Sequence, residues 1–142
     1  MGTEGIDDTV LMVLSKIMIS ETSDHQIIVL KEKDGTRNFP IVIGMQEAWT
    51  IDRAVKNIPT PRPLTHDLLS NMITSLDVGV ERITINDLQN NTFYATIVLN
   101  QNGAKYKIDA RPSDAIVLAT QMKAKIYVSK KVIDEVCKID AL

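Results

Sequence analysis

The sequence predicts an α+β fold, a mixed or antiparallel sheet of about seven strands with helices packed on it. Three observations carry this expectation. Short β-rich runs recur along the chain, several of them alternating apolar with polar residues as half-buried strands do. Neighbouring runs are joined by turn residues at Gly35 and at Asn102-Gly103. Both of these hairpins lead straight into segments whose apolar residues recur at helical spacing.

Taken in order, Val10 to Leu14 is apolar at every position, as expected of a central strand covered on both sides. Gln26 to Lys31 and Asn38 to Ile43 flank Lys33-Asp34-Gly35, whose glycine accepts the positive φ of a tight turn. After Gly44, the spacing of Ala48, Ile51, Val55 and Ile58 predicts a helix, which Pro59, Pro61 and Pro63 must end. Thr65 is expected to cap a second helix with its hydroxyl, and Asp67 complements the positive end of that helix's dipole. Leu68, Leu69, Met72, Ile73 and Leu76 then define its apolar face.

Ile83 and Ile85 alternate with polar residues, and Phe93, Ala95, Ile97 and Leu99 share one face of the following strand. The return strand sorts Tyr106, Ile108 and Ala110 to one face and Lys105, Lys107, Asp109 and Arg111 to the other. Pro112 suits the first position of a helix that is apolar nearly all round as far as Lys123, and such a helix should be buried. A short strand, Ile126 to Val128, and a last helix bearing Val132, Ile133, Val136 and Cys137 complete the order.

Composition narrows the class. A chain of 142 residues with 44% hydrophobic and 24% charged side chains is expected to fold as one domain, 1–142, around one core. The single cysteine, Cys137, has no partner for an internal disulfide, and no signal-like segment opens the chain, so a cytoplasmic location is expected. The apolar stretch from Val10 to Ile19 is interrupted by Ser15 and Lys16 and is about half as long as a membrane-spanning helix, so no membrane partner is expected. Sixteen basic and 18 acidic side chains give a net charge of −2, so any phosphate-gripping patch must be local or assembled between subunits. Walker loops, dinucleotide fingerprints, nucleophile elbows and paired cysteines are all absent from the sequence.

An internal echo adds to the fold. Laying Ile28-Val29-Leu30 over Ile97-Val98-Leu99 aligns two glycine turns and two strand-to-helix junctions, and brings Glu47-Ala48 opposite Asp114-Ala115. Duplication of a strand-hairpin-helix unit would produce this pattern, and so would convergence of two similar hairpins.

Three clusters have the residue types of a reactive site. At Asp109-Ala110-Arg111-Pro112-Ser113-Asp114 a strand runs into a helix whose first amides are free, so the junction can hold an anion or, through its carboxylates, a divalent metal. A structural account competes: Asp114 capping the Arg111 amide, with Arg111 paired to Asp109. At Arg62-Pro63-Leu64-Thr65-His66-Asp67, His66 opens a helix where its imidazole can serve as base or ligand, although no paired-histidine spacing suggests zinc. Glu47 supplies a third carboxylate in a first helical turn. His25 lies in a polar turn and reads as inert, Asp87 as a turn former, Trp49 as a core or interface anchor, and Cys137 as a packing residue.

Four stretches together resemble the bifunctional nuclease domain family of bacterial and plant proteins: Phe39-Pro40-Ile41-Val42-Ile43-Gly44 with Glu47-Ala48; Arg62-Pro63 with Thr65-His66-Asp67-Leu68-Leu69; Thr92-Phe93-Tyr94-Ala95; and Ile108-Asp109-Ala110-Arg111-Pro112-Ser113-Asp114-Ala115-Ile116. The resemblance implies a compact α+β fold, a homo-oligomer (dimer or higher), and hydrolysis of DNA or RNA. On this reading Glu47, Asp109 and Asp114 are expected to hold Mg²⁺ or Mn²⁺. His66, with Asp67 beside it, would act as general base or acid, and Arg62 or Arg111 would neutralise charge on the phosphate. A non-enzymatic oligomeric or regulatory module and a small-anion-binding domain are the alternatives, with the same polar groups merely fixing helix ends.

Overall fold

A computed structural model describes residues 8–140, with side chains to residue 137. The expectation about the opening of the chain concerns residues 1–7 and lies outside the described residues. The elements run β1 (Thr9–Met18), β2 (His25–Glu32), β3 (Asn38–Gly44), α1 (Met45–Lys56), α2 (Thr65–Ser75), β4 (Gly79–Gln89), β5 (Thr92–Gln101), β6 (Ala104–Ala110), α3 (Pro112–Met122), β7 (Lys125–Ser129) and α4 (Lys130–Asp140).

The strands form one seven-stranded mixed sheet in the order β3-β2-β1-β7-β4-β5-β6, and the fold is α+β as the sequence predicts. All neighbours are antiparallel except β4 and β7, which are parallel. The internal echo has a topological counterpart: β1-β2-β3 and β4-β5-β6 are each antiparallel meanders, each leads into a helix, and β7 joins their inner strands. Because β7 is antiparallel to β1 but parallel to β4, the two meanders start in opposite directions.

Register decides which side chains become core. Met12 and Ile83 both pair with Ile126, and Ile83 pairs with Ile97, so these residues share one face across the middle of the sheet. Ile28 and Leu30 of β2 lie opposite Ile41 and Phe39 of β3, and all four are buried. Each such side chain contributes about 1.5–3 kcal/mol on leaving water. Helix α3 fills the centre, burying Pro112, Ser113 and the run Ala115–Ala119, which is why its sequence is apolar nearly all round. Among the described residues, Gln26 is the one large polar side chain in the deep core; its amide closes the β1–β2 turn on the carbonyls of Ser20 and Ser23 and on the Ser20 amide.

The sheet is strongly curled. Phe39 of β3 and Phe93 of β5 stack with ring centroids 5.8 Å apart although four strands lie between theirs in the sheet. Irregular register in β1, between Leu14 and Lys16, and at two places in β4 is the local device that adds to the ordinary strand twist.

Several sequence expectations change. Met12 is buried but Val13 is exposed, so β1 is covered fully on one side only. Thr65 is the first residue of α2 rather than its cap; Asp67 Oδ2 accepts the Leu64 amide at 2.9 Å and satisfies the helix start from inside. On α2, Ile73 packs against the core while Leu68, Leu69, Met72 and Leu76 face solvent. The helix is held instead by polar ties to α3, because Gln121 donates to Asp67 Oδ1 and accepts from Ser70. Trp49 is 42% exposed, which removes it from the core.

Candidate functional site

The curl of the sheet carries the β3–α1 junction toward the β6–α3 junction, and a chain of polar contacts links them. Both helices begin with a residue in extended conformation, Gly44 and Arg111, and both place a carboxylate third in the helix, Glu47 and Asp114. A carboxylate there faces the positive end of the helix dipole. Arg111 folds back over its own helix start: its Nε donates to Asp114 Oδ2 at 2.8 Å and its Nη2 to Asp114 Oδ1 at 3.1 Å. The same Nη2 lies 3.5 Å from Glu47 Oε2. Helix α2 completes the group, with His66 Nε2 2.8 Å from Asp114 Oδ1.

Burial opposes ionisation of Asp114, but the hydrogen bonds from Arg111 and His66 and the positive charge of Arg111 outweigh it and hold the carboxyl below the usual carboxylate range. Arg111 is raised in turn, by its hydrogen bonds and attraction to Asp114 and, more weakly, by Glu47. An ionised carboxylate only accepts, so Nε2 of His66 donates to Asp114.

The remaining expected residues fall elsewhere. Asp109 pairs with Thr96 and alternates with Ile108 and Ala110, so it leaves β6 on the sheet face away from the core, and Arg111 pairs with Asp114 and Glu47 instead of Asp109. Both oxygens of Asp67 are taken, by the Leu64 amide and Gln121. Arg62 is exposed in the turn before α2, where its carbonyl accepts from Thr60. Among the described residues no three His, Cys, Asp or Glu are grouped so as to hold a metal ion.

A cavity of about 540 Å³ opens beside the Arg111–Glu47 pair, lined by His25, Asn91, Thr92, Arg111, Ser113 and Glu47 among others. His25 is the residue the sequence reading passed over. It pairs with Gly44 in the β2–β3 register, which sets it next to the start of α1. The signal was the hairpin itself: counting outward from the Gly35 turn puts position 25 opposite position 44.

The cluster residues Glu47, His66, Arg111 and Asp114 all lie within the stretch that the sequence comparisons match. The chain belongs to the bifunctional nuclease domain family, whose profile matches residues 28–140. An uncharacterized protein of Mycobacterium tuberculosis (strain ATCC 25618 / H37Rv) is 36% identical over 117 residues, covering 82% of this chain and 70% of that protein. Bifunctional nuclease 2 of Arabidopsis thaliana is 29% identical over 110 residues, covering 75% of this chain and 33% of its own length. Bifunctional nuclease 1 of Oryza sativa subsp. japonica is 26% identical over 120 residues, 82% of this chain and 36% of its own length. The chain therefore spans about a third of these plant relatives. No helix among the described residues is long and apolar enough to cross a membrane.

Proposed function

We propose that the domain hydrolyses phosphodiester bonds of nucleic acid, DNA or RNA, at the Glu47–Arg111–Asp114–His66 cluster, assisted by Mg²⁺ or Mn²⁺. The observation that carries this reading is the 2.8 Å contact between His66 and Asp114, residues 48 positions apart, continued through Arg111 to Glu47. A carboxylate that fixes an imidazole's tautomer and orientation is the arrangement general-base catalysis needs.

In this scheme Nδ1 of His66 takes the proton of the attacking water and returns it to the leaving oxygen. Asp114 is a positioning residue that holds the ring and stabilises its charged form during that transfer. Arg111 is largely exposed, and its Nη1 group, free of the contacts that Nε and Nη2 make, is available to a phosphate oxygen. The cluster's two carboxylates outnumber its one guanidinium, an excess of negative charge that a phosphodiester approaches only with a cation. Glu47 fits that need, because Mg²⁺ is commonly held by one or two carboxylates together with substrate phosphate and water, whereas both Asp114 oxygens already accept from Arg111 and His66. When bound, such an ion polarises the phosphate and acidifies the attacking water.

The test is hydrolysis of single-stranded DNA and RNA by the purified chain, with and without EDTA, beside Asp114→Asn and His66→Ala. Both variants should lose on the order of 10²-fold or more, and EDTA should abolish turnover reversibly. Activity that co-purifies undiminished with both variants belongs to a contaminant and ends the proposal.

A further inference from the structure

Among the described residues, helix α2 and strand β6 leave an apolar face without a partner. Leu68 and Met72 are each 54% exposed and Leu76 is 64% exposed, while the helix docks through His66, Asp67, Ser70 and Ile73. Strand β6 is the sheet edge, and Tyr106 and Ile108 on it are 50% and 45% exposed. They pair with Leu99 and Ile97, so they point to the helix-bearing side of the sheet, where neither is covered. Gln101 donates to the Leu76 carbonyl at 2.9 Å and ties the end of α2 to the β5–β6 hairpin, so the helix stripe and the strand adjoin.

We infer that this face joins two copies of the chain, with β6 pairing antiparallel to β6 of the second copy about a two-fold axis at Ile108. Three features favour a second copy. Leu68, Leu69, Met72, Leu76, Tyr106 and Ile108 present on the order of 600 Å² of surface, at the upper end for a monomer's patch and a large part of the roughly 800 Å² per partner in a stable interface. The backbone of β6 is open along the edge, whereas β3 at the other edge carries Pro40, which lacks a donor. The strand is also complementary to itself. Centred on Ile108, antiparallel pairing sets Lys107 against the partner's Asp109 and Asp109 against the partner's Lys107, and brings the two Ile108 side chains together. Centring on Lys107 would oppose two lysines within the strand and centring on Tyr106 would oppose Lys105 to Lys107, whereas centring on Ile108 sets the like-charged Lys105 only against Arg111, past the end of β6, where Arg111 folds onto its own Asp114.

The pairing joins the two sheets into one of twice the width and places both copies of the Arg111–Asp114 junction just beyond the paired strands. The experiment is the mass of the full chain by light scattering over a concentration series, with three sets of variants whose folding is checked by circular dichroism. The wild type should run at twice the 15.8 kDa chain mass. Met72→Asp should shift it to monomer. Lys107→Glu and Asp109→Lys should each weaken association about tenfold, and the double exchange should restore it. Ile108→Cys, in a Cys137→Ser background, should cross-link to itself under mild oxidation, because paired antiparallel Cα atoms lie within disulfide reach. A wild-type monomer throughout, a dimer indifferent to Met72→Asp and the single exchanges, or a dimer that Ile108→Cys does not cross-link would each overturn the inference.

Discussion

Helices α1 and α3 each follow a three-stranded meander, each carry a carboxylate at the third position, and each end on a non-glycine residue in left-handed conformation, Asn57 and Lys123. Yet α3 buries seven of its 11 residues and α1 three of 12, and the two helix starts differ in chemistry. Gly44 brings no side chain to its junction, so Glu47 looks outward to Arg111 of the other half. Arg111 at the second junction folds onto its own Asp114, which also receives His66. Equivalent carboxylates thus acquire different roles from their neighbours: Asp114 organises the cluster, and Glu47 adds one oxygen to it.

The sharpest way to break this comparison is to exchange the two carboxylates for their amides separately. Asp114→Asn should cost hydrolysis on the order of 10²-fold or more, and Glu47→Gln about tenfold, measured as kcat/KM on the same oligonucleotide. Equal losses would erase the distinction between the halves. Packing gives the next largest effect. Ile116→Ala in α3 should lower stability by about 4 kcal/mol and Ile51→Ala in α1 by about 3 kcal/mol in urea unfolding, since both side chains are fully buried but α3 has core on more sides.

Gly44→Ala sharpens the same contrast more gently. A Cβ there meets the Glu47 carboxylate, the end of a flexible side chain, so Glu47 should be pushed from Arg111. Turnover should fall by less than about tenfold, while the unfolding free energy stays within about 1 kcal/mol. The smallest expected effect is acid sensitivity. Asp114 is held below its unfolded value, so its contribution to stability is complete above about pH 4 and is lost as pH falls through the lower folded value. Urea midpoints should therefore decline less between pH 4 and pH 2 for Asp114→Asn than for the wild type. A steeper decline in the variant would contradict the assignment.

Much of this was legible along the chain. Asn102-Gly103 and Gly35 marked the two hairpins, Pro112 the start of α3, and the unbroken apolar run after it the burial of that helix, because turn dihedrals and burial act on a few adjacent residues. Thr65 misled because a hydroxyl at a helix start is an expected cap, whereas Asp67 made the bond from three residues on. The apolar stripe of α2 was read correctly as a stripe, but periodicity reports amphipathicity and not what the apolar side meets. His25 was dismissed for its polar surroundings in sequence, although its strand register sets it beside Gly44 and at the cavity.

By itself the sequence determined the elements and their order, since these are written in local spacing, and its motifs carried the resemblance to the family. It also supplied each ionisable group of the cluster at a helix start. Only the tertiary structure decided that Glu47, Asp114 and His66 meet around Arg111 while Asp109 points away. The reason is physical: accumulated twist across seven strands sets which distant junctions converge, and strand alternation sets which of two neighbouring carboxylates faces the site.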